Sequence, residues 1–480
     1  MNYPAIARTL AYIALVLSVS FAICAGCDVY FFENINGKDW LPAIEITAIV
    51  FVIFFIFSIH RKPELFRRES IAIVGLSWLF ACALGMLPYL FVAKLSFCDA
   101  FWEATSGITT TGMTVFSHPE TIGRGILLWR ALSTAIGGLG FAVFFIVFTP
   151  SVGTTAKQIF AQESSYDVAD FDAGKMQSNV RPLLYVYLTL TFACFVLFLI
   201  FGMSFYDALC YALSTVATGG FSTHTEGFQA FQSPFLPWIA AFFMILGGLN
   251  FFCFIALARH RYDKIRENSE IKIYCLLVLL SGLFVYVAQR VNGSPLSLKE
   301  GYFHAISTLS TCGAALGDTA IIWTPVNQML LILLMSFGGC VGSTAGGLKV
   351  ARTGIFFKAL THTLLCSFRP QRVQNIHFNH RRIDNNDLSS TLRFCIFAFF
   401  FTILSALVLL VLEPKLDFAN GIATAVALVS NSGVIATSSP PDFTLFSDLT
   451  KIVAALMMIL GRIEFYALIV LLAPQFWKKY

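Results

Sequence analysis

The sequence predicts an all-α integral membrane protein: ten transmembrane helices and four re-entrant pore half-helices. These form four span, pore loop, span repeats around a pseudo-fourfold axis, preceded by two N-terminal helices. Three observations carry this expectation. The chain of 480 residues is 57% hydrophobic and 12% charged, with 50 phenylalanines, a balance incompatible with an ordinary soluble surface. Apolar runs near the length that crosses a bilayer lie at 11–32, 42–59, 71–93, 126–149, 182–204, 236–258, 272–289, 326–341, 392–412 and 451–473. One short segment occurs four times. The runs are continuously apolar and do not alternate, so a closed β-barrel is excluded as a reading.

The first two runs, within 1–69, are read as extra helices. The first ends in ICAGC (Ile23–Cys27) and is expected to remain uncleaved, because Cys24 stands where a lipoprotein cleavage box carries Leu. The repeats are expected at 70–160, 161–265, 266–365, with a broken second span, and 366–480. Basic residues set the orientation. With the N-terminus inside, 23 of the 32 Lys and Arg fall on the inner side, seven fall outside, and Arg130 and Arg462 lie within spans. Both termini are therefore expected in the cytoplasm, and the net charge of +5 reports topology; no basic, aromatic-interleaved pattern suggests nucleic acid. The 12 cysteines are scattered without C-x-x-C pairs and are read as buried free thiols.

The repeated segment reads DAFWEATSGITTTGM (99–113), DALCYALSTVATGGF (207–221), EGYFHAISTLSTCGA (300–314) and NGIATAVALVSNSGV (420–434). Gly112, Gly220, Gly313 and Gly433 align. Thirteen residues before each stand Asp99, Asp207, Glu300 and Asn420; eight before, Ala104, Ala212, Ala305 and Ala425; two before, Thr110, Thr218, Thr311 and Asn431. Each segment starts on a residue read as a helix cap, runs for an expected two turns, and turns to Gly, Thr and Ser, which favour irregular backbone. Such backbone at membrane depth is tolerated only where protein or a watery path surrounds it, so the loops are expected to line a pore. Rings of carbonyls there replace the hydration shell of a cation, and neutral hard oxygens suit an alkali ion, with K⁺ preferred. Gly at the aligned position frees its carbonyl to point inward. Thr111, Gly219, Cys312 and Ser432 precede it and are expected to offer backbone oxygen only.

The spans after the loops repeat as IGGLGF (136–141), LGGLNF (246–251), FGGCVG (337–342) and LGRIEF (460–465). The glycine pairs 137–138 and 247–248 read as close helix packing. Arg462 replaces the glycine of the fourth copy, and a guanidinium at bilayer depth needs carbonyl or anionic partners. Only the third copy continues into a Gly, Ser and Thr run, CVGSTAGG (340–347), expected to unwind for about two turns and offer its carbonyls to Arg462. GSTAGGLK (342–349) is no phosphate-binding loop, since Leu348 follows the second glycine where Lys is required.

These motifs resemble the Trk-type potassium uptake proteins of the Trk/Ktr/HKT superfamily over nearly the whole chain. The resemblance implies a K⁺ selectivity filter at Thr110, Thr111, Gly112, Thr218, Gly219, Gly220, Thr311, Cys312, Gly313, Asn431, Ser432 and Gly433, with potassium as the transported ion and no covalent cofactor. It implies a gate at Gly342, Ser343, Thr344, Ala345, Gly346, Gly347 and Arg462, a bacterial inner-membrane location, a homodimer, and a cytoplasmic ring of nucleotide-binding regulatory subunits. Four glycines support K⁺ over Na⁺ by the same analogy, while SNSGVIAT in the fourth loop departs from the family form. The rival reading is a secondary symporter coupling K⁺ to H⁺ or Na⁺. Catalysis is not expected, because His224 and His304 have no nucleophile partner.

Overall fold

The computed structural model describes residues 2–31, 37–59, 67–148, 177–293, 296–317, 323–368, 376–379, 381–433, 437 and 440–477. The long inner segment at 150–181 lies outside the described residues as far as 176. Helices α1 (Tyr3–Tyr30) and α2 (Leu41–Ser58) pack as a hairpin. Then follow α3 (Arg67–Gly85), α4 (Leu87–Phe91), the short α5 (Phe97–Ile108) and α6 (Arg124–Phe148). The second repeat holds α7 (Gln177–Ile200), α8 (Phe205–Val216), α9 (Leu236–Gly248), α10 (Phe251–Ala258) and α11 (Tyr262–Glu267). The third holds α12 (Ser269–Val291), α13 (Leu298–Leu309), α14 (Pro325–Phe337) and α15 (Val350–Phe368). A two-residue hairpin, His377–Phe378 with Arg381–Arg382, departs from the all-helical pattern. The fourth holds α16 (Asn385–Leu412), α17 (Phe418–Ser430), α18 (Asp448–Arg462), α19 (Tyr466–Leu472) and α20 (Pro474–Trp477).

Among the described residues six helices are long and apolar enough to cross a membrane, or seven with α9 and α10 taken together. Their outer faces carry large apolar side chains such as Ile53, Phe57, Leu279, Phe399 and Phe400, all exposed, a surface made for hydrocarbon. The chain is a multi-pass membrane protein. The short helices invert this pattern: Trp102–Ile108 and Phe303–Leu309 are buried throughout, so protein surrounds them.

Three expectations need correction. The caps of the short helices are Ser96, Ser204, Ser297 and Asp417, each accepting a backbone N–H of the first turn. Asp99, Asp207, Glu300 and Asn420 sit three residues further in, where Glu300 closes a reciprocal capping box with Ser297. Helices of 12 or 13 residues result, more than three turns at about 3.6 residues per turn. The broken span is also not confined to the third repeat. α9 and α10 meet at 91°, because Leu249 is extended and Asn250 starts a new helix by accepting the Phe252 N–H. α18 ends at Arg462 with Ile463 as its cap, and Glu464 and Phe465 both have positive φ before α19 begins. The glycine pairs do pack closely: a Cβ on Gly137 would strike the Ile108 carbonyl, and one on Gly247 would lie 2.8 Å from the Val216 carbonyl.

Candidate functional site

Each short helix ends in the same turn. Thr111, Gly219, Cys312 and Ser432 donate their N–H to the carbonyls of Ser106, Ser214, Ser307 and Ala427 at 2.8–2.9 Å, the closure that a left-handed residue at a helix end produces. That residue is Thr110 (φ 57°), Thr218 (53°), Thr311 (53°) or Asn431 (55°). Threonine rarely occupies this region, so three equivalent threonines there mark backbone held against its preference. Gly112, Gly220 and Gly313 follow with φ of 83°, 73° and 72°; Gly433 alone of the four is outside that region.

The loops lie side by side. A Cβ on Gly112 would collide with the Gly219 carbonyl, one on Gly220 with the Cys312 carbonyl, and one on Gly433 would come within 2.6 Å of the Thr111 carbonyl. Residues 92 and more apart in sequence thus share one centre. Among the described residues no protein donor reaches the carbonyls of residues 110–112, 218–220, 311–313, 431 or 432, although Thr110, Thr111, Thr218, Thr311, Cys312, Asn431 and Ser432 are buried. Unpaired buried carbonyls are costly, and neutral oxygens of this kind are able to coordinate a cation. Side chains brace the loops from behind. Asn431 donates Nδ2 to Thr111 Oγ1 at 3.1 Å and to the Met458 carbonyl at 2.8 Å, and Thr111 bonds Thr109 at 2.7 Å.

The segment between α14 and α15 is irregular from Gly338 to Lys349, with left-handed φ at Gly338, Gly342, Gly347 and Lys349. It docks on the loops and on the broken second span. Thr344 shares its single Oγ1 proton between the carbonyls of Val216 and Gly247, both at 3.0 Å, and accepts from Thr218 at 3.3 Å. Gly346 donates its N–H to Thr311 Oγ1 at 2.7 Å, and a Cβ on Gly346 would strike the Ser430 carbonyl. Cys340 donates to the Gly248 carbonyl at 2.8 Å, Gly342 accepts from Phe251 at 3.1 Å, and Val341 donates to Glu270 at 2.7 Å. Ser343 donates to the Cys340 carbonyl at 2.6 Å, and Ala345 accepts from the Lys349 ammonium. Arg462, 3% exposed, donates to the Thr344 carbonyl at 2.9 Å and to the Gly137 carbonyl at 3.5 Å. The arginine therefore joins the first, third and fourth repeats.

Several site residues had no role in the sequence reading. Lys349 places a second buried cation beside Arg462. Glu464 pairs with Arg352 at 2.8 Å, linking the turn after Arg462 to the first turn of α15. Asn250 shapes the second break; a Gly-Gly-x-Asn run was its only signal. The sequence places Arg130 within a span without a partner; the structure pairs it at 2.8 Å with Glu103, an acid in the middle of a short apolar helix.

These features define a class: a multi-pass membrane protein built from a repeated helix and loop, whose loops gather uncharged oxygen ligands suited to an alkali cation. The chain belongs to the TrkH family of cation transport proteins, whose model matches residues 44–291 and 296–479. It is similar to the Trk system potassium uptake protein TrkH of Escherichia coli K12, 26% identical with all of both chains covered. It is 30% identical to the TrkG protein of the same system and strain, over 90% of this chain and 91% of that one. The crystal structure of the potassium transporter TrkH from Vibrio parahaemolyticus superposes with a TM-score of 0.89 at 25% identity, covering 100% of each chain.

Proposed function

We propose that this protein carries out potassium uptake across a bacterial inner membrane. The ion path runs along the axis of four re-entrant half-helices. Ten spans enclose it, in five segments at 1–69, 70–160, 161–265, 266–365 and 366–480, with both termini cytoplasmic. The observation that supports this best is the set of unpaired carbonyls on four loops carrying one repeated left-handed turn. An alkali cation in a medium of low dielectric is tens of kcal/mol less stable than in water, and the carbonyls of Thr110, Thr111 and Gly112 with their counterparts at 218–220, 311–313 and 431–433 take over its solvation. Uncharged ligands bind the ion weakly enough to release it inward.

Below them, residues 342–347 obstruct the path while Arg462 repels the cation, both held by the Thr344 carbonyl bond. Lys349 adds a second positive charge, each worth on the order of a few kcal/mol against a nearby ion. The bonds from Thr218 and Thr311 to this segment tie gate to filter, so the loop cannot leave without releasing the filter's own braces. The family resemblance extends the proposal to a homodimer whose opening is governed by a cytoplasmic nucleotide-binding ring. The test is K⁺ uptake in a potassium-uptake-deficient host, followed by flux in liposomes with and without a proton or Na⁺ gradient. Restored uptake that Na⁺ competes with poorly, and flux that needs no second gradient, is the expected result. Failure to restore uptake overturns the proposal, and obligatory dependence on a second gradient converts it to a symporter.

A further inference from the structure

The Glu103 and Arg130 pair has no part in the path described above, yet it lies directly behind it. Both side chains are buried, at 0% and 2% exposure, and Arg130 Nε donates to Glu103 Oε1 at 2.8 Å. The carboxylate also accepts from Thr114 Oγ1 at 3.0 and 3.1 Å and from the Val115 N–H at 3.1 Å, the residues two and three places after Gly112. The guanidinium donates to the Ser222 carbonyl at 3.2 Å and stacks 4.2 Å from the Phe221 ring centre and 5.6 Å from that of Phe116; Phe221 and Ser222 follow Gly220. The pair therefore clamps the strands that leave the first and second loops.

No equivalent pair exists elsewhere in the repeats. The position nine before each aligned glycine holds Glu103, Tyr211, His304 and Thr424, and the position of Arg130 is Ala240, Leu331 and Ala454 in the other copies. Tyr211, neutral at the matching position, donates instead to the Gly227 carbonyl at 3.0 Å, seven residues after Gly220. A buried ion pair is a poor source of stability compared with well-packed apolar side chains, whereas its short, directional bonds fix geometry.

We propose that Glu103 and Arg130 are positioning residues that fix the spacing between the first and second loops, and through it the discrimination of K⁺ from Na⁺. The proposal rests on reading the loops as a filter, and its test separates the two. Purified protein in liposomes is assayed for K⁺ and Na⁺ uptake with four variants: Glu103→Gln combined with Arg130→Met, which leaves no lone buried charge; Thr114→Val, which removes one hydroxyl; Arg130→Lys; and Gly112→Ser, which alters the filter itself. The double variant is expected to lose about tenfold in discrimination, by admitting Na⁺ while K⁺ uptake stays within about twofold, and Thr114→Val to lose less. Arg130→Lys, which keeps the charge but not the stacked fork, is expected between wild type and the double variant. Unchanged discrimination in a folded double variant overturns the positioning role, and Thr114→Val decides by the same criterion if the double variant does not fold. If Gly112→Ser also leaves discrimination unchanged, the filter reading fails instead.

Discussion

Thr110, Thr218 and Thr311 hold a backbone conformation that β-branched residues avoid, at about 1–3 kcal/mol each. What compensates is the helix-end bond each turn closes and the contacts of the side chains around it. Asn tolerates this region better, and the fourth repeat uses it, so Thr311→Asn is expected to keep K⁺ uptake, its amide carbonyl, one bond further out than the Thr hydroxyl, taking over the Gly346 N–H. Thr311→Val keeps the shape and loses that acceptor, worth about 1 kcal/mol, and is expected to raise flux several-fold by loosening the closed loop. Gly112→Ala should abolish selective uptake, since its Cβ meets the Gly219 carbonyl. Arg462→Ala removes two charge-assisted bonds to carbonyls, and flux should rise by about tenfold or more. All four are checked by Rb⁺ or K⁺ flux in liposomes at equal protein, and an Arg462→Ala flux at or below wild type counts against the gate.

At the scale of elements, the short helices were legible because the same offsets recur four times, and chance does not produce that agreement. Their starts were misplaced because the acids at the third helical position resemble caps; the serines three residues earlier are the caps, a pattern visible as S-x-x-D or S-x-x-E at 96–99, 204–207 and 297–300. The unwound stretch at 338–349 was legible from its glycines and its Ser-Thr pair. The bends at Leu249 and at Ile463–Phe465 were not, since neither has a proline, and the second lacks even a glycine at its positive-φ positions. Tertiary bonds enforce them: the Gly247 and Gly248 carbonyls, freed by the first bend, are taken by Thr344 and Cys340. Thr344→Val removes one hydroxyl donor shared by two carbonyls while keeping volume, and the Gly247 carbonyl keeps the Thr344 N–H, so flux is expected to rise by about fivefold, as one lost hydrogen bond allows. Flux equal to wild type would mean that the loop is held by other contacts.

Among the described residues the four copies of the short helix and loop differ in what surrounds them: one continuous following helix, three broken ones, one arginine bonded to the segment at 338–349 and one buried ion pair beside the first two loops. On the proposed reading, repetition supplies the geometry that an ion needs from every side, and the exceptions supply control. Cysteine labelling with a membrane-impermeant reagent checks the orientation. Lys415→Cys is expected to react from outside in intact cells above the wild-type background, and Lys264→Cys only after permeabilisation. The reverse pattern would invert the topology. The central claim, that carbonyls of the four loops replace the water of a potassium ion, is tested most directly by locating a heavy alkali ion in crystals grown with Rb⁺. Anomalous density on the axis, within coordinating distance of the residue 111, 219, 312 and 432 carbonyls or their neighbours, is the predicted result; Rb⁺ found elsewhere in the protein, with none among those loops, would contradict it.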